Sequence, residues 1–533
     1  MTHACSYDYR EIGLLNSLIH AYLGRDARLQ NLYGNYPDDA GFAAQIQLRK
    51  QHNLDASSRK ALVTSITSKY QAAGRPLPEH LELLSSPDCF TVVTGHQLNL
   101  FTGPAYFIYK IMCAVALSRK LKQQHPSQHF IPVYWMASED HDLEEIQFFN
   151  QGGTRYHWEK PKAGAVGQLD TEGLQNVYDV LAQQWRGRAY ADELLQHFRD
   201  SYLSQSDLAG AHLSLVDRLL GDYGVIILDG DCPILKKQFA PIIRKELTEQ
   251  FVHAAVEQQI ESLSENFKVQ VAPRELNLFY LQEGKRDRII QREGMYFLAD
   301  DETTAWTQAE ILEILDQHPE RFSPNVLLRP IYQEYILPNL CYLGGGGELS
   351  YWFELKSAFG AAQVPFPILL LRNAAIMTTS KHEAKREKLN LERKNLFQSS
   401  DALTEQIVRQ LSKIDLDFTQ QREHLKKQFA QLYELAAQTD ASFTGAVAAQ
   451  EKKQLNGLDN LEKRLLRAQK RKLTDHTDRA LQLRDALYPS GNLQERELNF
   501  SEFYLDHGSA WLDLLLQHFD PTSQRLDHFV LDA

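Results

Sequence analysis

Short, nearly continuous apolar runs punctuate the first two thirds of the chain. Residues 90–94 (FTVVT) stop at Gly95, 130–136 (FIPVYWM) at an acidic turn, 223–228 (YGVIIL) at Asp229, and 366–371 (FPILLL) at Arg372. Runs of this length, rich in β-branched residues, predict strands buried on both faces. Between the first two, Phe107, Ile108, Ile111, Met112, Val115 and Ala116 recur at helical spacing after Pro104. Proline suits a first helical turn, where its missing N–H leaves nothing unpaired. Strand, helix and strand in so short a span make a βαβ unit, so the pattern predicts an α/β protein with a parallel sheet.

Elsewhere the pattern changes. Residues 1–85 are mixed and polar with helical patches. Residues 143–222 read as a helical insertion with a loop at Gly152 and Gly153, and 235–264 as one helix. Residues 269–325 read as a small antiparallel insertion, with short apolar runs at 269–272, 278–281 and 295–298. From 383 the chain turns to long helices. Ile407, Leu411, Ile414 and Phe418 step by four, three and four, and Leu425, Phe429, Leu432 and Leu458, Leu461, Leu465 repeat the step. This is coiled-coil spacing. A polar break at 438–445 separates arms at 401–437 and 446–488, which predicts an antiparallel hairpin with arms of ~55 Å at ~1.5 Å per residue. The expected division is a core in three pieces (1–142, 223–268, 326–382), insertions at 143–222 and 269–325, a hairpin at 383–488 and a compact segment at 489–533.

Length and composition narrow the class. The chain has 533 residues, 43% hydrophobic and 24% charged, an ordinary globular balance with room for a core that needs no staples. No apolar stretch approaches the length of a membrane span. The first residues lack the basic-then-apolar pattern of a secretory signal. Cys5, Cys89, Cys113, Cys232 and Cys341 are scattered and form no CxxC pair, as expected of reduced thiols in a cytoplasmic protein without a zinc site. Net charge is −12, unevenly spread: residues 381–490 hold 21 Lys/Arg against 16 Asp/Glu, and the rest 36 against 53. So small a basic surplus reads as solvated helical faces, and nucleic acid is not an expected partner.

Candidate chemistry sits just after the strands, where open parallel sheets bind ligands. The first turn carries Gly95, His96, Gln97 and Asn99, a glycine-bearing strand-to-helix loop whose amides and histidine could face an anion. The second carries Ser138, Glu139, Asp140, His141 and Asp142, carboxylates crowded about one imidazole. Such a set can orient a histidine or offer oxygen ligands to Mg²⁺. Tyr332 precedes four consecutive glycines, 344–347, a run suited to close backbone approach to a ligand. Arg372 and Asn373 end a strand and could hold a carboxylate or phosphate. Lys381 follows Thr378-Thr379-Ser380, a weak phosphate-loop pattern.

The strings at 94–104 (TGHQLNLFTGP), 132–146 (PVYWMASEDHDLEEI), 369–373 (LLLRN) and 492–496 (NLQER) together resemble the BshC family, the cysteine ligases of bacillithiol biosynthesis. The resemblance covers most of the chain. It implies a Rossmann-like core with inserted connective domains and a protruding coiled coil used for homodimerisation. It also implies amide formation between L-cysteine and the amine of glucosaminyl malate. The family core is similar to class I aminoacyl-tRNA synthetases, whose HIGH and KMSKS motifs have only Gly95-His96-Gln97 and Thr379-Ser380-Lys381 as counterparts here. Nucleotide is associated in the family with the coiled-coil side.

On this reading ATP activates the cysteine carboxylate, as an adenylate or acyl phosphate, and His96 stabilises charge on the phosphate. Asp140, His141 and Asp142 orient or deprotonate the attacking amine, with Mg²⁺ as an optional ion. Gly95, Gln97, Asn99, Ser138, Glu139, Tyr332, Gly345, Gly346, Arg372 and Asn373 contact substrate, and Lys381 and Arg496 contact the cofactor. All of this requires His96 and the acidic cluster to share one cleft. Two other readings are a non-catalytic sugar-acid or nucleotide binding protein that works through its hairpin, and a tRNA-gripping synthetase relative.

Overall fold

All four predicted runs become strands of one sheet, and a fifth joins them. In the computed structural model, which describes residues 1–161 and 164–532, these are β1 (Cys89–His96), β2 (His129–Met136), β3 (Ile226–Asp229), β4 (Asn339–Gly344) and β5 (Ile368–Leu371). Their order is β5-β4-β1-β2-β3, and every neighbouring pair is parallel. Val93 pairs with Val133 on one side and Tyr342 on the other. The strands are buried along nearly their whole length, which is why they read as continuous apolar runs. The sequence pattern does not reveal β4, because it leads straight into a glycine run that reads as loop.

Helix α1 (Tyr106–Gln124) makes the β1-to-β2 crossover and is buried on almost all sides, Lys110 included. Pro104 stands two residues before the helix instead of in its first turn. It forms a β-bridge with Asn499, and Ala105 is the N-cap.

The chain divides into two units: residues 1–376 with 495–529, and residues 377–494 with the chain end from 530. In the first, the insertion after β2 opens with a hairpin, Phe148–Gln151 against Thr154–His157. Gly152 and Gly153 both take positive φ, as a two-residue hairpin turn requires. The helix expected over 235–264 is two, Pro233–Glu249 and Phe251–Ser264, broken where Gln250 turns left-handed at φ +51°. The run at 269–272 is not a strand. The antiparallel insertion is a five-stranded sheet over Leu278–Gln282, Lys285–Arg292, Met295–Leu298, Asp301–Trp306 and Phe322–Pro324. The two ends of this unit meet: Ser6 donates to Asp527 at 2.6 Å, and His3 Nε2 lies 3.1 Å from the same carboxylate.

In the second unit, α2 (Ser400–Leu411), α3 (Thr419–Ala436), α4 (Ala441–Lys472) and α5 (Thr474–Asp485) form the hairpin. Arg422 binds Asp459 and Glu462 while Tyr433 binds Glu451, so α3 and α4 run antiparallel around Phe429, Ala436 and Val447. Each expected arm is two helices. The first breaks at 412–418, where Asp415 and Asp417 accept backbone N–H groups, so the step from Leu411 through Ile414 to Phe418 crosses a turn. The polar break shrinks to 437–440, because Asp440 caps α4 and Gly445 lies inside it. All five cysteines are free thiols, four of them buried. Among the described residues no helix is long and apolar enough to cross a membrane.

One buried group in the first unit makes stability pH-dependent. His212, in the helix Leu208–Leu220, is fully buried with Nε2 3.0 Å from the Tyr134 hydroxyl and Nδ1 unpartnered. Burial pushes its pKa down to about 3. The imidazole is neutral in both states above its ordinary value, so its contribution is whole there and is lost as pH falls toward the folded-state value. The slope is at most about 1.4 kcal/mol per pH unit. Urea unfolding of His212→Phe is expected to lose stability less steeply than wild type between about pH 6.5 and 4.5; parallel profiles would refute this.

Candidate active site

The sheet order places a topological switch point between β1 and β4, the position where open α/β sheets form a ligand crevice at their carboxyl ends. β1 ends in His96. Its carbonyl accepts the Ala137 N–H at 3.0 Å, and its ring lies against Tyr106 and Phe107 at 5.2 and 5.3 Å between centroids. The Gln97 N–H donates to Nδ1 at 2.9 Å, so the proton of the neutral ring sits on Nε2. Nε2 is buried without a partner. Burial, then Lys110, His212 and Arg372, hold the ring well below the ordinary imidazole pKa. His96 is therefore a neutral N–H donor with no acceptor of its own.

Lys110 reaches back from α1 beneath this turn. Its buried ammonium donates to the Gly95 carbonyl and to Glu348 at 2.7 Å. Glu348 also accepts the Gly345 N–H at 2.7 Å, three residues earlier, as a capping-box acid does. The glycine run is thus a tight strand-to-helix turn. Gly345 lies beside Arg372, since a Cβ there would stand 3.8 Å from its Nε. Gly346 faces the other way, where a Cβ would meet Leu15 at 3.5 Å, so it packs and does not line the crevice.

Arg372, expected to hold a substrate carboxylate, already holds an internal one. It is buried and bidentate to Glu495, at 3.0 and 2.5 Å. Its guanidinium lies 5.1 Å over the Tyr106 ring, and its Nε is buried and unpartnered. Asn373 is also satisfied internally, by the Cys113 thiol at 3.2 Å and the Asp520 carbonyl at 3.3 Å. Tyr332 is buried and donates to the Gly230 carbonyl at 2.8 Å. These two build the fold around the site. Arg496 is exposed in the first unit, with its charge felt at Tyr106, and Lys381 is exposed on the helix Ser380–Lys388 of the second.

The acidic string stands at the ends of β2 and β3. Ser138 donates to Asp229, which also takes Lys69 at 2.6 Å. Lys236 is buried between Glu139 and Asp231; burial works against its charge, and the two acids more than restore it. Among the described residues no three His, Cys, Asp or Glu side chains converge as metal ligands. The carboxylates of Glu139, Asp140, Asp229 and Asp231 are instead engaged by Lys236, Gln97 and Lys69. His141 is exposed, and its Nδ1 accepts an N–H of Arg286, contributed by the insertion, at 2.9 Å. That bond uses the lone pair a general base would need. Asp140 accepts from Gln97 at 2.7 Å and from the His141 N–H at 2.8 Å, and Asp142 makes no side-chain capping bond.

Gln97 thus links the two turns through its side chain, bonding Asp140 and, at 2.9 Å, Glu145. The histidine rings themselves meet different neighbours: Tyr106 and Phe107 for His96, Phe279 for His141. Asn99 is buried, with its Oδ1 unpartnered. Its amide donates to the Glu145 carbonyl, and Gly103 at φ +66° leaves room for its Cβ. Phe101 and Thr102 also take positive φ, +48° and +68°, costly for non-glycine residues.

Asn499, 0% exposed, pins this strained loop. Its amide donates to the Phe101 and Gly103 carbonyls at 2.7 and 2.5 Å. Asn499→Ala is expected to cost roughly 2–4 kcal/mol and to raise amide exchange over 97–104. Unchanged exchange there would remove the pinning role. Sequence reasoning missed Asn499, Glu495, Glu348 and Lys110. Only Lys110 leaves a trace, as a lone charge inside an apolar helical stripe.

A Rossmann-like sheet with buried, unpartnered donors at its switch point, followed by a helical hairpin, defines a two-part architecture. The comparisons with known proteins divide it the same way. Residues 2–373 match the family model "Bacillithiol biosynthesis BshC, N-terminal Rossmann-like domain", and residues 375–532 the corresponding "C-terminal coiled-coil domain". Relatives named "Putative cysteine ligase BshC" include one from Flavobacterium johnsoniae, 46% identical over 515 residues (96% of this chain, 97% of that one). Another, from Christiangramia forsetii, is 46% identical over 520 residues (96% of each), and one from Cytophaga hutchinsonii is 34% identical over 524 (97% and 98%). The chain belongs to the BshC family.

Proposed function

We propose that this chain joins L-cysteine to the amine of glucosaminyl malate, with ATP activating the cysteine carboxylate. Family membership supports the ligase class. The observation that carries the site assignment is the pair of buried, unpartnered donors, His96 Nε2 and Arg372 Nε, both on residues lying against Tyr106. The charges of Arg372 and Arg496 are felt at Tyr106 and those of Arg372 and Arg329 at Lys110, against the carboxylates of Glu348 and Glu495. In a chain of net charge −12, that local surplus fits a phosphate or carboxylate oxygen.

ATP, when bound, supplies the leaving group that makes the carboxylate an acyl donor. His96 donates to the oxygen on which charge grows, and being neutral it needs no proton from solvent to do so. The attacking amine must be unprotonated, and a carboxylate at Asp140 or Asp142 takes its proton. His141 orients Arg286 through Nδ1 instead of acting as base. Purified full-length chain with cysteine, glucosaminyl malate and ATP is expected to yield the amide, read by mass spectrometry, together with nucleotide cleavage. Binding of all three without amide formation would overturn the reading.

The same reading includes a homodimer through the hairpin, where Leu435 and Leu461 are 56% and 53% exposed. Leu461 lines a groove of about 600 Å³ together with Leu425, Leu458, His424 and several glutamines. Leu461→Glu is expected to shift the sedimenting species from dimer to monomer, and an unshifted mass would remove the hairpin as the interface.

A further inference from the structure

A second cavity lies at the other end of the sheet, away from the crevice. It has a volume of about 450 Å³ and is walled by the start of β2 (Phe130, Ile131, Pro132), by Val115 from the last turns of α1 and by Leu83. β2 runs from this cavity to the acidic string, so the two places stand ~25 Å apart at ~3.3 Å per residue. None of the residues assigned to the ligase site lines it.

Its two charged lining groups, Arg119 and Lys122, are both cations. Arg119 at the mouth is exposed and has no ion pair or hydrogen bond among the described residues, and Lys122 beside it donates only to the Pro126 and Gln128 carbonyls. His80 and His129 also line it, and burial holds His80 below the ordinary imidazole pKa, so it adds no charge near neutral pH. No aspartate or glutamate lines the cavity; of the acids close by, Asp513 is tied to the Tyr223 hydroxyl at 2.7 Å, while Asp222 is felt at Tyr223 and Glu79 at His80. At the wall Ser118, 4% exposed, has a buried hydroxyl with no partner. A helical serine normally bonds back to its own helix or reaches water. A buried, unsatisfied one beside a cavity is a group waiting for an acceptor. Apolar walls, an unpaired guanidinium and a hydroxyl donor together describe a site with one apolar and one anionic requirement.

We propose that this cavity is a second ligand site, for a small organic acid with a compact apolar body and a single anionic head, the body against Phe130, Ile131 and Val115 and the head between Arg119 and Ser118. This stands independently of the ligase reading. The probe is 2-naphthoate, titrated by its fluorescence into the full-length chain, with neutral 2-naphthylmethanol and inorganic phosphate as controls. Saturable binding is expected in about the 0.1–1 mM range. The neutral analogue should bind at least about tenfold weaker, and phosphate alone should not compete, because each control lacks one of the two requirements. Arg119→Glu, on an exposed side chain remote from the crevice, should weaken naphthoate about tenfold or more with unchanged thermal stability, and Ser118→Val should weaken it several-fold. No saturable binding, or binding equally tight in Arg119→Glu, would overturn the proposal. So would competition by phosphate.

Discussion

Replacing Glu495 with alanine is expected to destabilise the first unit by about 3–5 kcal/mol, because the variant leaves the Arg372 guanidinium buried with no counter-charge. Arg372 is 4% exposed and Glu495 2%, and two hydrogen bonds join them. Burial opposes the charge on Arg372, and Glu495 more than compensates, raising its pKa. The loss should be visible in urea unfolding followed by tryptophan fluorescence. The single change Arg372→Met should cost a similar amount, because it strands the carboxylate instead. The double variant Arg372→Met with Glu495→Leu should cost less than either single one, since two apolar side chains of like size leave no charge unpaired. If the single variants stay within about 1 kcal/mol of wild type, or if the three values simply add, the pair is not the buried couple its geometry indicates.

This pair also shows what the sequence could reveal. β1, β2, β3 and β5 are legible because strands buried on both faces are apolar throughout. β4 hides because its last residue belongs to a glycine run, and the energetic reason for that run, a tight turn closed by Glu348, appears only in three dimensions. The hairpin is legible in kind. Its breaks are not, because an apolar step of three and four can be continued across a turn by side chains such as Ile414, 48% exposed, that stay half in solvent. At the site, His96 and Asp140 stand out as polar residues at the ends of apolar strands. Their partners do not. Glu495 follows Arg372 by 123 residues, and Arg286 follows His141 by 145. Charge pairing at such separations leaves no periodicity, and a carboxylate in a polar stretch looks solvated until the fold buries it.

The sharpest test of the crevice is the pH dependence of a His96 variant. His96→Ala is expected to lower kcat for amide formation by about 10²–10³, the usual cost of removing one preorganised donor from developing negative charge. A general base of ordinary histidine pKa would be half protonated near neutrality, and its loss would weigh differently at each pH. His96 is different, because burial and the neighbouring cations keep it neutral far below that range. The ratio of wild-type to His96→Ala rates should therefore stay flat between about pH 6.5 and 8.5, where the imidazole does not titrate. His96→Gln can place an amide N–H near the position of Nε2 and should recover part of the rate with the same flat ratio. A merely structural role, holding Tyr106 in place, predicts instead that His96→Phe rescues better than His96→Gln, since phenylalanine keeps the ring contact and loses the donor. A ratio that bends near neutral pH would return His96 to acid–base chemistry, and rescue by phenylalanine would take it out of the chemistry altogether.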